Sequence, residues 1–465
     1  MITSRIDNLG VKEMKATYEV NGFEIKEINP NTCIFTCIPR CEKGIIPVNW
    51  LNSKMQINGF GKALDYSISI ENAGKTREVN LENILLKEKH LIERDRISRN
   101  LPIQSIHASN YLNSSEPYIS NLVSKDNFSD ILNIARLFPG NLTSFLGFEC
   151  RLGNPDSRSD WAFAISGLNG DRFVFENLFN NGYLPGQLLV QDEWRQIKQF
   201  AKAWADSDSI LNDKVQCFWI EFDMPKDNPE VPVPCVFFGP TKVPKNSQVN
   251  DYKNYEWLTK VALPILRGQP LSIALEKNFR NCIEQMPKNS TLFQIGTLLS
   301  RSTDGIRVYV NKLQPKQVIP YLNSIGWFDE TGEFSKLTKD IKDMGDRFVL
   351  SFDINEDGIG EKIGIELSYT SKTFQNETRW TKLLDYLVDK DLCLPEKRDA
   401  LLNYQGSEED YVDSNMEPLK AASGNLNKIF TSTIVRYISH VKIVYQPGDI
   451  LEAKAYPAVR LFEKS

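Results

Sequence analysis

Residues 347–369 read RFVLSFDINEDGIGEKIGIELSY and contain the clearest hairpin pattern in the chain. Apolar and polar side chains alternate on both sides of the central NEDGIG segment, which is typical of two half-buried strands. Phe348, Leu350 and Phe352 share one face of the first strand, while Glu366 lies on the polar face of the second. Asn, Asp and Gly favour a tight turn between them. The stretch therefore predicts a β-hairpin with one apolar and one polar face.

Four other pairs of short strands have the same arrangement, each split by a segment rich in Gly, Pro, Asn or Asp. These pairs are 143–153 with 161–166, 215–224 with 231–239, 292–301 with 306–313, and 440–446 with 451–459. Stretches with the helical period lie between the pairs. The predicted helices are 192–210, 255–268, 315–327, 379–403 and 425–438. The order indicates an α+β protein built from ββα units.

Five successive hairpins imply ten antiparallel strands, because a hairpin makes its two strands antiparallel neighbours. An open sheet of that size has exposed edges and tends to curl, and closure removes the edges. Helices between the hairpins would bury their apolar stripes on the apolar outer face of the sheet. We therefore expect a ten-stranded antiparallel β-barrel with helices outside and a lumen inside.

The face opposite the apolar one collects charged and aromatic side chains from most of these strands. They are Glu149, Arg151, Trp219, Glu221, Asp223, Arg307, Tyr309, Glu366, Lys442, Lys454 and Tyr456. In an open sheet these side chains would simply be solvated. In a closed barrel they would line a polar cavity rich in tyrosine, where each charge must be paired or reserved for a ligand.

The first part of the chain has a different pattern. Residues 17–28 and 32–38 are predicted strands, and 80–100 is a predicted charged amphipathic helix. The polar, turn-rich stretch 109–121 is the best candidate for a boundary. We predict a mixed α/β extension over 1–120, with substrate docking as one hypothesis for its role, and the barrel over 121–465.

Composition excludes several classes of protein. The net charge is −5, which argues against a nucleic-acid-binding face over the whole protein. The sequence has no run of 18 apolar residues, so no membrane span is predicted. The first residues lack the apolar core of a secretory signal. Eight cysteines without such a signal favour a cytoplasmic protein. Three histidines exclude a His-rich metal site, CIFTCIPRC (33–41) reads as ordinary thiols, and no metal site is predicted. Nothing in the sequence predicts the oligomeric state.

The element order over 125–465 resembles the prenyltransferase barrel of ABBA-type aromatic and peptide prenyltransferases. Arg307-Val308-Tyr309 on the sixth strand is similar to a basic residue–x–Tyr pattern of that family. Lys454-Ala455-Tyr456 places a tyrosine on the tenth strand, and Glu149 is an acidic residue on the first. The fourth strand, VPVPCVFFG (231–239), departs from the family because it has neither Lys nor Tyr.

The resemblance implies transfer of an isoprenyl group from its diphosphate to an aromatic or peptide acceptor inside the lumen. It implies that cations bind the diphosphate, with Arg151, Arg158, Arg307, Lys442 and Lys454 as candidates. Tyr309 and Tyr456 would stabilise the carbocation, with Tyr369 as a third candidate that alternation places on the helix side. Glu149, or else Glu221, would orient the acceptor and remove its proton. No DDxxD-type cluster is visible, so Mg²⁺ is not expected to be required and no tightly bound cofactor is expected.

Two other classes stay open. One is a non-catalytic module that binds a peptide or small molecule in the same cavity or along the N-terminal strands. The other is an enzyme with the same barrel but different chemistry, because a fold does not determine a reaction.

Overall fold

The computed structural model describes residues 17–20, 23–29, 32–37, 42–47, 54–58, 67–72, 75–80, 107–142, 145–167, 171–180, 184–224, 231–241, 243, 248–301, 303–370, 374–411 and 431–463. These ranges include nearly all residues of the predicted hairpin strands. Among the described helices, none has the length and apolar character needed to cross a membrane.

Seven short strands in two antiparallel sheets come first in the chain. They are β1 Thr17–Val20, β2 Phe23–Asn29, β3 Thr32–Cys37, β4 Glu42–Pro47, β5 Lys54–Asn58, β6 Ser67–Asn72 and β7 Lys75–Asn80. Strands β1–β4 form one sheet and β5–β7 the other, each in chain order. The strands predicted over 17–28 and 32–38 are confirmed as β1–β3. The helix predicted over 80–100 lies outside the described residues except for Asn80, the last residue of β7.

Eleven further strands form one antiparallel sheet. They are β8 Phe145–Arg151, β9 Ser159–Ser166, β10 Val215–Phe222, β11 Cys235–Pro240, β12 Thr291–Thr297, β13 Ile306–Asn311, β14 Arg347–Asn355, β15 Gly358–Ser368, β16 Gly406–Tyr411, β17 Thr431–Gln446 and β18 Asp449–Glu463. Strands β8 to β15 pair in chain order, β15 pairs with β17, β17 with β18, and β18 with β8. The sheet therefore closes into a ten-stranded barrel, and the predicted α+β barrel with helices is confirmed.

Alternation along the strands separates the outer face from the lumen. On β14, Phe348, Leu350 and Phe352 belong to the large core that the barrel shares with its helices. Val349 instead joins a smaller cluster with Tyr309 of β13. The turn of this hairpin is two residues long, because Asn355 pairs directly with Gly358. Gly358 has a φ of +126°, a region that favours glycine.

The helices lie against the outer face. They are α1 Ala108–Asn113, α2 Glu116–Ile119, α3 Lys125–Ala135, α4 Asp171–Asn180, α5 Asp192–Ala205, α6 Ile210–Lys214, α7 Leu263–Arg267, α8 Ile273–Glu284, α9 Pro315–Ser324, α10 Glu333–Asp340, α11 Trp380–Asp389 and α12 Pro395–Tyr404, with a π-helical turn over Leu258–Ala262 before α7. Helix α5 buries the apolar stripe expected from its period, including Trp194, Phe200 and Trp204. The Phe200 ring lies 4.9 Å from that of Phe218 on β10 and 5.3 Å from that of Phe238 on β11.

The helix predicted over 425–438 is wrong for the part that the structure describes. Residues 431–438 are the first half of β17, which pairs with β16 on one side and β18 on the other. Thr433, Ile434 and Val435 are β-branched, and such residues pack well between neighbouring strands. Strand pairing on both sides therefore determines the structure of this segment, although its apolar residues have helical spacing.

The stretch 109–121, predicted as a polar boundary, contains α1 and α2. Leu112 and Ile119 are buried and belong to the core between helices and barrel. The short strand β11 begins at Cys235, so Pro232 and Pro234 precede it and leave its ladder intact. The division of the chain at residue 120 stays a prediction.

Candidate active site

The lumen receives the charged and aromatic face of the strands. Lys442 on β17 contacts Tyr309 on β13 across the two intervening strands, which is a contact along the concave inner surface. Closure buries these polar groups: the exposed fraction is 5% for Glu149, 6% for Tyr309 and 7% for Lys442. The structure therefore brings the residues of the predicted polar face together in one lumen, while their chemical roles stay predictions.

Glu149 is bonded at both of its carboxylate oxygens. The Lys454 Nζ lies 2.6 Å from Glu149 Oε1, and the Tyr456 hydroxyl donates to Oε2. Burial alone raises the pKa of Glu149, but the Lys454 ammonium and these two hydrogen bonds outweigh burial and hold the pKa well below its usual range. The same carboxylate raises the pKa of Lys454, against the opposing effect of burial. Glu149 is thus a fixed, ionised carboxylate.

A second ion pair in the lumen joins strands β15 and β17. Lys442 Nζ is 3.3 Å from Glu366 Oε1 and 3.4 Å from the Tyr309 hydroxyl oxygen. The same ammonium lies 4.9 Å from the centroid of the Tyr309 ring, within the range of a cation–π contact. Gly364 leaves room for this side chain, because a Cβ there would lie 2.8 Å from Lys442 Cε. The small residue on β15 allows the lysine to reach the tyrosine.

One end of the lumen opens into a cavity of about 690 Å³. Its charged lining consists of Arg151, Asp156, Arg158, Asp160, Asp223, Arg301 and Lys454. Arg151 lies 2.8 Å from an oxygen of Asp160 and 3.2 Å from one of Glu452. Arg158 donates to the backbone carbonyl of Met224 at 3.2 Å. These residues form the rim of the lumen, where cations and carboxylates lie side by side.

Two arginines near this rim bind carboxylates with both ends of the guanidinium group. Arg307 contacts the two oxygens of Asp353 at 2.7 and 2.9 Å. Arg301 contacts those of Asp223 at 3.0 and 2.8 Å. Burial lowers the pKa of Arg307, but the hydrogen bond to Asp353 and the surrounding negative charges together outweigh burial and raise the pKa well above its usual value. Both guanidinium groups are therefore held in fixed orientations.

Glu221 on β10 has the opposite environment to Glu149. Burial, reinforced by the negative charges of Glu149 and Asp223, raises the pKa of Glu221 to about 8. The nearest cation is Arg301, whose NH2 lies 4.0 Å from Glu221 Oε1. A pair of carboxyl groups with such different pKa values provides one permanent anion and one neutral acid at pH 7.

Aromatic rings cover the other part of the lumen. The Phe145 ring lies 4.8 Å from that of Trp219, and the edge of Phe237 meets Tyr309 at 5.7 Å. His440 stacks on Tyr456 at 3.9 Å. Burial lowers the pKa of His440 to about 4, so this imidazole is neutral at pH 7. The lumen combines an apolar, ring-lined region with a charged end.

Most cations of the lumen already have a carboxylate partner. The pairs are Arg151–Asp160, Arg301–Asp223, Arg307–Asp353, Lys442–Glu366 and Lys454–Glu149. Among the described residues, no carboxylate lies within ion-pair distance of Arg158 or Arg347; Arg347 lies 4.2 Å above the Phe293 ring and donates to Asn311. An anionic ligand would therefore have to compete with the carboxylates for these cations.

The predicted site residues divide into two groups. All nine candidates face the lumen or the cavity at its end, and Arg158 lines that cavity together with Arg151 and Lys454. Tyr369 lies on the helix side against Trp380, as its place in the alternation indicates. Sequence reasoning missed Asp353 as an arginine partner, although it shares the polar face of β14. It also missed Arg301, which follows β12 and has no periodic signal.

The chain is structurally similar to several solved proteins, among them the prenyltransferase PriB. A complex of PriB with product diphosphate has 9% identity and a TM-score of 0.42, covering 75% of this chain and 95% of that one. The 5-dimethylallyltryptophan synthase from Streptomyces coelicolor has 8% identity and a TM-score of 0.41, covering 76% and 97%. AnaPT from Neosartorya fischeri has 11% identity and a TM-score of 0.41, covering 80% and 97%.

No protein-family model matches the sequence, and no curated protein matches it. The strand order and its closure, both visible in the chain itself, carry the assignment of the fold. By fold, the chain is a closed ten-stranded antiparallel barrel with outer helices.

Proposed function

We propose that the protein transfers an isoprenyl group from its diphosphate to an aromatic or peptide acceptor within the barrel. The observation that carries the proposal is the contact of a buried ammonium with a buried phenol ring, Lys442 with Tyr309, inside a closed lumen. Anion-binding cations beside cation-stabilising rings are what ionisation of an allylic diphosphate requires.

The diphosphate would lie at the charged end of the lumen. Its phosphoryl oxygens carry several negative charges and match the guanidinium and ammonium groups of Arg151, Arg158, Arg307, Lys442 and Lys454. The allylic C–O bond breaks, both electrons leave with the diphosphate, and an allylic cation remains. These cations would stabilise the negative charge that develops on the leaving group.

The cation and the acceptor would occupy the ring-lined region. The faces of Tyr309 and Tyr456 would stabilise the allylic cation, and burial would exclude water from it. A bond then forms between the allylic carbon and the acceptor ring, and the ring loses a proton. Glu149 is ionised and is the first candidate to accept it, with Glu221 as the second.

A second candidate is a non-catalytic module that binds a peptide or small molecule. The observation that favours it is the pairing of the lumen cations with carboxylates, which leaves little net positive charge for a diphosphate. A ligand with both acidic and basic groups would suit such a lumen.

Thermal unfolding and an assay of diphosphate release separate these functions. Dimethylallyl diphosphate at one hundred times its Kd should stabilise the protein by about 2.7 kcal/mol. Arg307→Ala and Lys454→Ala should reduce this gain, and Lys342→Ala at the surface should not. Diphosphate release that depends on tryptophan, tyrosine or a peptide containing them supports transfer. Stabilisation by peptides alone, without any response to the diphosphate, would contradict it.

A further inference from the structure

Glu221 lies on the lumen face of β10, and charged or titratable groups on several other strands act on it. The charged and titratable groups that face it are Glu149 on β8, Asp223 after β10, Cys235 on β11, Arg301 after β12, Arg307 and Tyr309 on β13, Lys442 on β17 and Tyr456 on β18. Its position therefore combines three acidic side chains with three cations in one small volume.

The three carboxyl groups differ in how they are bonded. Glu149 uses one oxygen for Lys454 and the other for Tyr456. Asp223 is bound by Arg301 at both oxygens and accepts from Ser300 at 2.5 Å. Glu221 has no hydrogen bond among the described residues and approaches Arg301 only at 4.0 Å. Of the three groups, Glu221 is the one available to a ligand.

The raised pKa of Glu221 has a physical cause. An ionised Glu221 would place a third negative charge beside two carboxylates in a site of low polarity, and this repulsion together with burial favours the neutral acid. A neutral carboxylic acid has an O–H group that can donate a hydrogen bond. An ionised carboxylate in the same place would repel an anion.

We propose that Glu221 is a further diphosphate-binding residue, acting as a neutral acid whose O–H donates a hydrogen bond to a phosphoryl oxygen. The inference rests on the proposed function, since it takes the anion in the lumen to be a diphosphate. It leaves the removal of the acceptor proton to Glu149, which is the permanent anion. Binding then requires Glu221 to hold its proton, so diphosphate affinity is coupled to pH.

Calorimetric titration with inorganic diphosphate tests this coupling without an acceptor. The proteins to compare are the wild type, Glu221→Gln and the control variant Glu356→Gln. In the wild type, Glu356 lies in the exposed β14–β15 turn. Glutamine keeps the shape of the neutral acid and can still donate a hydrogen bond. The ionisation of the ligand is the same in all three titrations, so the ratio of their Kd values isolates the protein.

The Kd of the wild type divided by that of Glu221→Gln should be near one at pH 6.5 and rise to about tenfold at pH 9. Glu356→Gln should follow the wild type throughout. A ratio that stays constant between pH 6.5 and 9.5, or tighter binding by Glu221→Gln already at pH 6.5, would overturn the role of Glu221. Absence of binding by all three proteins would overturn the proposed function itself, and this inference with it.

Discussion

Lys454 and Glu149 form a buried ion pair, with 2.6 Å between Nζ and Oε1, across the seam where the last strand of the barrel meets the first. The two residues are 305 positions apart in the chain. The contact exists only because β18 pairs with β8. Closure of the barrel and assembly of the candidate site are therefore the same structural event.

Loss of one partner of this pair should be costly. Lys454→Met leaves Glu149 buried without its cation, and we expect a loss of about 3–5 kcal/mol in the free energy of unfolding at pH 7. The double variant with Glu149→Gln should recover part of that loss. Urea unfolding measures both. Arg398→Met, which breaks a pair with Asp385 at the surface, should cost much less, because water screens an exposed ion pair. If Lys454→Met and Arg398→Met lost the same free energy of unfolding, the Lys454–Glu149 pair would not be a buried one.

A methyl group at position 364 would collide with side chains that already lie beside Gly364. A Cβ at this position would lie 2.4 Å from Ser351 Oγ and 2.8 Å from Lys442 Cε, so Gly364→Ala should displace the lysine from Tyr309. We expect dimethylallyl diphosphate to bind about tenfold more weakly, which corresponds to one lost charge-assisted contact. Gly186→Ala has open space around it and is the matched control. Calorimetry of both variants is the measurement, and equal affinities would show that the position of Lys442 does not matter.

Alternation along single strands was sufficient to predict which side chains enter the lumen. The polar face of β13 and β15 predicted the places of Arg307, Tyr309 and Glu366, since side chains alternate between the faces of a strand. The number of hairpins favoured closure, because an open sheet of ten strands leaves edges unpaired, but an open sheet stayed an alternative until the pairing of β18 with β8 was seen. Local pattern and edge pairing together determine this fold.

The pairing of charges across strands was not predictable in the same way. Arg307 meets Asp353 because these two residues are direct partners in the β13–β14 ladder. The register between strands depends on turns and bulges, such as the shift between Ile438 and Val441 on β17, which alternation alone does not specify. The helix predicted over 425–438 failed for a related reason, because the helical spacing of the apolar residues carries no information about the two strands, β16 and β18, that pair with 431–438.

The Arg307–Asp353 pair gives a test of charge competition. In Asp353→Asn the guanidinium group loses its anionic partner and is free for a ligand, so we expect diphosphate affinity to rise by about threefold to tenfold. Calorimetric titration with dimethylallyl diphosphate measures the change. Asp385→Asn, which removes one of the two carboxylate partners of Arg398 at the surface, should leave the affinity unchanged. Weaker binding by Asp353→Asn would mean that Asp353 itself supports the ligand site.

Glu221 should also affect stability as a function of pH. Its pKa is raised from 4.5 to about 8 in the folded protein, so its favourable contribution is complete below pH 4.5 and is lost as pH rises to 8. Glu221→Gln should therefore be more stable than the wild type at pH 9, by about 1–3 kcal/mol, and close to it at pH 4.5. Thermal unfolding of both proteins across this range gives the difference. A difference that does not change with pH would contradict the raised pKa.

The most direct test of the account is a crystal structure of the protein soaked with dimethylallyl S-thiolodiphosphate, an analogue whose carbon–sulfur bond resists ionisation. We predict that its phosphoryl oxygens lie within hydrogen-bond distance of Arg307 and Lys442, with the isoprenyl chain against the rings of Tyr309 and Tyr456. A lumen without the analogue at saturating concentration, with the Arg307–Asp353 and Lys442–Glu366 pairs intact, would contradict a diphosphate site in the barrel.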